Sequence, residues 1–211
     1  MWVPNSHYSG VYGLVKLLFP DILPESLKQV IVLDSDLTFL CDIAELWSMF
    51  GNMSKEQLLA TVSSLPIGQL HGPINGVIKF FLQSLQIVGI VENESDWYYD
   101  SKHWPALGRG YNTGVMLVDL EKIRNNMDWT KVWHSAVNEN LDKMKQTTLA
   151  DQDVINAIIK KNPKLVYNIS CQYNVQMSTK TIAKNCYGED TNNIKVRKCV
   201  IFICFSYRQD E

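Results

Sequence analysis

The stretch Val30-Ile31-Val32-Leu33-Asp34-Ser35-Asp36 constrains the fold of this chain more than any other. Four consecutive apolar residues read as a buried strand. The strand ends on two carboxylates spaced i and i+2, which can converge on one divalent cation at its mouth. Such a cation bridges to phosphate oxygens and can neutralise a diphosphate. A lone pair of this kind also occurs in phosphatases, in Ca²⁺ loops and by chance on surfaces, so its context has to decide.

That context is an alternation of strands and helices. Val11, Leu14, Val15 and Leu18 have helical spacing over residues 7–19, closed by Pro20, and Pro24 opens a further short turn of helix. A helix starts at Asp42 as its cap, and strands are expected at 88–91, 114–120 and 165–169. Helices are expected from 119–125, over 129–144, and over 151–160 with Val154, Ile155, Ile158 and Ile159 on one face. Residues 97–111 form a loop rich in Gly, Pro and aromatics. The pattern predicts an α/β domain with a mostly parallel sheet flanked by helices. Sites in such sheets lie beyond the carboxyl ends of strands, where Asp34 and Asp36 fall. Residues 51–86 break the rhythm with six Gly or Pro residues and no period, which either counts against this alternation or marks an insertion.

Bulk properties exclude several functions. At 211 residues and net charge -2, the chain fits one domain and gives no electrostatic case for binding nucleic acid. No apolar run reaches the roughly 18 residues of a spanning helix, and Met1-Trp2-Val3-Pro4 does not open a signal peptide. A targeting segment or membrane anchor is expected only in a longer form. The five cysteines (Cys41, Cys171, Cys186, Cys199, Cys204) show no CxxC spacing, which speaks against zinc. Cys171 and Cys186 flank a polar loop and fit either a disulfide or two free thiols. Three Asn-x-Ser sequons, at Asn52, Asn93 and Asn168, weakly favour a lumenal setting.

Three further groups carry chemistry. Tyr111-Asn112-Thr113-Gly114 precedes a buried strand and would place the Asn112 amide in a cleft, where it can donate to and accept from sugar hydroxyls. Asp151-Gln152-Asp153 opens a helix; capping and the helix dipole account for Asp151, but not for three polar side chains in one turn. Lys16 is a cation placed either to meet phosphate or sugar or to face solvent. His7, His71, His103 and His134 show no pairing pattern, and His103 reads as a surface residue.

Taken in order, VPNSHYSGVYGLVKLLFPDILP, VIVLDSDLTFLCDIAELW, IVGIVENESDWY, WPALGRGYNTGVMLVDLEKIR, LADQDVINAIIKKNP and CQYNVQ resemble glycosyltransferase family 8, the retaining family of glycogenin and bacterial galactosyltransferases. The resemblance is closer to the first, xylosyltransferase domain of its LARGE-type members. The resemblance implies a GT-A fold, Mn²⁺, a UDP-xylose donor, Golgi localisation, and a glucuronate-terminated glycan acceptor of the α-dystroglycan kind. By matching motif it places Asp34 and Asp36 on Mn²⁺, with Asp34 also meeting the ribose. Lys16, Asn112 and Asp151 fall on the donor, and Gln152 and Asp153 near the anomeric carbon. The expected domain, 1–196, lacks the family's opening strands and is interrupted at about 51–86. A divergent tail, 197–211, replaces the segment carrying the family's third metal ligand, a histidine. Activity is therefore expected to be impaired, and a non-catalytic carbohydrate- or partner-binding protein of the same fold is the second reading. A phosphotransferase of the haloacid dehalogenase kind leaves the other motifs unexplained.

Overall fold

The computed structural model describes residues 3–53, 57–59, 81–83, 86–176, 182, 184–188 and 190–198. A 3-10 helix over Gly10–Leu18 runs into a short helix, α1 (Phe19–Ile22). Strands β1 (Gln29–Leu33) and β2 (Leu37–Phe39) flank the Asp34–Asp36 turn and lead to α2 (Ile43–Ser48). Strands β3 (Gln57–Leu59) and β4 (Phe81–Gln83) pair, among the described residues, only with each other. Then come β5 (Val88–Glu92), β6 (Tyr111–Asp119), α3 (Leu120–Asn126), α4 (Trp129–Met144) and α5 (Asp151–Lys161). The described chain closes with β7 (Val166–Ile169), β8 (Val175–Gln176), α6 (Lys184–Tyr187) and β9 (Val196–Lys198).

The main sheet has the order β1-β6-β5-β7, and β6 is buried along its whole length. Successive side chains of a strand point to opposite faces. Met116 and Val118 accordingly join the core under α3, α4 and α5, while Val115 and Leu117 join Leu46, Phe50 and Ile169 on the other face. The predicted stripe of α5 is real, with Val154, Ile155, Ile158 and Ile159 all buried. Asp42 caps α2 by accepting from Ala44 N at 2.8 Å. Asp119 caps α3 in the same manner, accepting from Lys122 N at 2.9 Å.

Several expectations need correction. The sheet is mixed rather than mostly parallel: β6 runs antiparallel to both neighbours, and only β5 and β7 are parallel. Alternation of elements does not encode direction; residues 93–110 join β5 to β6 without a crossover helix, and a parallel pair needs one. Pro20 does not close the first helix. It sits in the first turn of α1, where its missing N–H costs nothing. The segment after Pro24 is a reverse turn, Leu27 N donating to Pro24 O at 3.0 Å. The expected insertion lies mostly outside the described residues, but its start belongs to the body, since Met53 is fully buried. The expected tail begins inside β9, which pairs antiparallel with β2 (Phe39 opposite Val196, Leu37 opposite Lys198); the rest of it lies outside the described residues.

Cys171 and Cys186 form a disulfide, settling that open pairing. Closing a loop of 15-residue separation stabilises the fold by about 3 kcal/mol in the chain-entropy account. It also fixes the segment that carries β8 against the site. Among the described residues, no helix is long and apolar enough to cross a membrane.

Candidate functional site

The site forms where β1 and β6 deliver their ends to one cleft. Asp34 N donates to Gly114 O at 2.8 Å, tying the carboxylate turn to β6. Opposite β5 the register of β6 jumps: Ile90 faces Met116, yet Val91 faces Asn112. Such irregularities re-aim side chains next to sites, and this one turns Asn112 and Thr113 to the cleft. Position 114 has no room for a side chain. A Cβ there would stand 2.9 Å from Asn112 Oδ1 and 3.3 Å from Asp34 Oδ2.

Lys16 reaches the same point from the 3-10 helix. Its Nζ lies 2.7 Å from Asp34 Oδ1, 2.9 Å from Thr113 O and 3.7 Å from Asp151 Oδ2. One cation thus bridges β1, β6 and α5. The start of α5 is set by Ala150, whose φ of 51° is unusual for a residue with a Cβ and is held by its surroundings. Beyond it, Gln152 Oε1 accepts from Thr113 N at 3.3 Å and Gln152 Nε2 donates to the Tyr98 hydroxyl at 3.4 Å. Above these groups the N-terminal segment is pinned by Ser6 N to Thr147 O (2.9 Å) and Thr147 N to Pro4 O (2.8 Å), laying His7 to Tyr12 across the mouth.

The resulting cavity has a volume of about 780 Å³, within the range of small-ligand sites. Lys16, Asp34, Asp36, Asn112, Asp151 and Gln152 all line it. Asp153 does not. It is wholly buried beneath the turn, with both oxygens engaged by Tyr98, Thr148 and Leu149, so it cannot touch a reacting carbon and serves instead to hold the turn. Sequence reasoning passed over His7, Trp97, Asn174 and Gln176. His7, Trp97 and Gln176 line the cavity, and Asn174 bonds Asn112 from below. Their only sequence signal is membership of the HYSG, SDWY and CQYNVQ stretches. His103 stacks on Trp97 (centroids 3.7 Å apart, 18° between planes), so it supports a cleft residue.

Burial pushes the Asp151 carboxyl up to about 6, with Asp34 adding to the rise; Lys16 and a hydrogen bond from Thr113 oppose it. A carboxyl whose folded pKa lies above its unfolded value destabilises the fold once ionised. Stability contributed by this group therefore falls as pH rises from about 4 to about 6, by about 3 kcal/mol in full. Asp151→Asn should remove that decline. Melting curves at pH 4.5 and 7.5 are the check: the variant should gain several degrees over the wild type at pH 7.5 and little at pH 4.5. An equal gain at both values would show that Asp151 does not carry the effect.

A mixed sheet clad by helices, with a carboxylate-lined cleft at the end of β1, is the GT-A glycosyltransferase architecture. It is shared with the apo crystal structure of mouse xyloside xylosyltransferase 1 (TM-score 0.64, 20% identity, 95% of this chain and 68% of that one). It is shared also with the galactosyltransferase LgtC in complex with donor and acceptor sugar analogues (TM-score 0.56, 16% identity, 94% and 62%). Residues 2–197 match the model of glycosyl transferase family 8, and the chain belongs to that family. Within it the chain is 44% identical over 200 residues to the human xylosyl- and glucuronyltransferase LARGE1, covering 92% of this chain and 22% of that one. It is 43% identical to the LARGE2s enzyme of Gallus gallus, covering 92% and 23%. The chain thus spans less than a quarter of the length of these relatives.

Proposed function

We propose that this domain transfers xylose from UDP-xylose to a glucuronate-terminated glycan, of the kind carried by α-dystroglycan, with retention at the anomeric carbon. The observation that carries this reading is the convergence of Lys16, Asp34, Asp36, Asn112, Asp151 and Gln152, from four separate segments, on one cavity. The names of the LARGE relatives support the choice of xylose. The disulfide supports an oxidising lumen such as the Golgi, as do the exposed Asn52 and Asn168 sequons.

The donor set fits a hard divalent cation. Asp34 and Asp36 offer carboxylate oxygens on the same cavity wall, and ions of this class use one or two carboxylates plus substrate phosphates and water. Mn²⁺ bound there would supply Lewis-acid stabilisation to the departing diphosphate. The protein's own groups do the rest. Lys16, drawn in by Asp34 and Asp151, adds fixed positive charge beside the phosphates. The Gln152 amide oxygen, steadied by Thr113 N, places partial negative charge where the sugar ring becomes cationic. The acceptor hydroxyl oxygen bonds to the anomeric carbon as the bond to the diphosphate breaks on the same face. The hydroxyl proton leaves with a phosphate oxygen.

One observation favours the second reading, a carbohydrate-binding protein without turnover. Among the described residues, neither Asp34 nor Asp36 belongs to a group of three His, Cys, Asp or Glu ligand atoms lying within 4.8 Å of one another. UDP release from UDP-xylose with and without Mn²⁺, followed with and without a glucuronate-terminated acceptor, separates the two. Mn²⁺-dependent release supports transfer. Saturable binding with no release supports the binding protein.

A further inference from the structure

Asn112 lines the cleft, but its oxygen is already fully used. Gly114 N donates to Asn112 Oδ1 at 2.8 Å, and Asn174 Nδ2 donates to the same atom at 2.9 Å. An amide oxygen has two lone pairs. With both engaged, the group can offer the cavity only its N–H hydrogens.

Neither donor can move away. Gly114 N is backbone of β6, whose carbonyl is bonded to Asp34 N. Asn174 is wholly buried, and its segment is tied down three ways: the Cys171–Cys186 disulfide, Gln176 N to Glu94 Oε2 at 2.8 Å, and the pairing of β8 with β9. Asn174 Oδ1 is buried without a hydrogen-bond partner among the described residues. The Asn174 amide is therefore oriented by Asn112 and not by any bond of its own oxygen. Turning both amides over together would preserve the bond between them but set the Asn112 N–H against Gly114 N–H. The backbone of Gly114 decides between the two arrangements. A side chain at 114 would intrude on the whole assembly, its Cβ 3.3 Å from Asn174 Nδ2.

We propose that Asn174 is a positioning residue that locks Asn112 as a pure donor, so that this wall of the cleft selects a ligand atom that accepts. In a nucleotide sugar those atoms are diphosphate oxygens and sugar hydroxyl oxygens. The choice of ligand rests on the function proposed above; the lock itself does not.

Two measurements test the lock. In ¹⁵N spectra of the unliganded protein, the Asn174 side-chain amide hydrogens should exchange slowly and those of Asn112 quickly. Exchange of the Asn174 amide at the rate of an exposed asparagine would overturn the proposal. With UDP-xylose and Mn²⁺, Asn174→Ala should raise KM about tenfold, the worth of one hydrogen bond, while kcat changes by less than about twofold. In an Asn112→Ala background the same substitution should add less than about twofold, because the residue it positions is gone. Effects of Asn174→Ala that multiply with those of Asn112→Ala would mean a general structural role and would overturn it too. If the wild type neither binds nor turns over UDP-xylose, the proposed function fails, and the exchange rates still decide the lock.

Discussion

Asp34→Asn should lower Mn²⁺-dependent UDP-xylose turnover by at least about 100-fold while leaving the melting temperature within a few degrees of wild type. The substitution keeps shape and removes charge. The Asp34 N to Gly114 O bond is backbone and survives, and an amide oxygen still accepts from Lys16. The Asp34 side chain is about a quarter exposed, so no core contact is lost. What disappears is one of the two carboxylates proposed to hold the cation, and the charge that orients the Lys16 ammonium 2.7 Å away. Lys16 keeps the Asp151 carboxylate 3.7 Å away and an amide oxygen in place of Asp34 Oδ1, so the cost to stability is small, whereas a metal ligand is indispensable to a metal-dependent step. Turnover of the variant within about threefold of wild type, at equal Mn²⁺, would exclude the metal role of Asp34. Turnover lost together with a collapsed melt would point to folding instead.

The sequence made some features of this fold plain and hid others for physical reasons. Strand 30–33 and its carboxylate end were legible because a buried run stopped abruptly by charge has few other readings. The long helices α4 and α5 were legible because their apolar faces recur at helical period and an aspartate opens each. The start of β6 was not. It begins at Tyr111, three residues before the apolar run, because Asn112 and Thr113 lie in the register jump opposite β5 and are buried as polar groups. Strand direction was also illegible, since it depends on what joins two strands and not on the strands themselves. The sheet of β2, β9 and β8 is made of strands of two or three residues brought together from distant parts of the chain, with no local pattern to reveal it. Asn174 sits in that region. Its role depends on a bond to a residue 62 positions away, which no local pattern encodes.

Asp153 was expected near the anomeric carbon but is buried beneath the turn, and it carries the largest stability effect expected here. Its carboxylate is fully buried and accepts from Tyr98 Oη at 2.8 Å, Thr148 N at 2.7 Å, Leu149 N at 2.9 Å and Thr148 Oγ1 at 3.2 Å. It stands in the first turn of α5 and reaches back to backbone donors ahead of the helix, as the acidic member of a capping box does. These bonds hold the turn that keeps Ala150 at positive φ, a conformation costing of order 1–3 kcal/mol. Asp153→Ala would leave two part-buried backbone N–H groups and the buried Tyr98 hydroxyl without their acceptor, a loss of about 3–5 kcal/mol. For a chain of this size the melting temperature should fall by roughly 10 °C. Asp153→Asn keeps one oxygen for the two backbone donors and can give its N–H to Tyr98, so its fall should be less than half as large. Turnover in Asp153→Ala should drop even at temperatures where the variant is folded, because Asp151 and Gln152 lose the turn that aims them. Thermal melts and activity of the two variants at 15 °C are the measurement. A melt of Asp153→Ala within 2 °C of wild type would show that the turn is held by something other than this carboxylate.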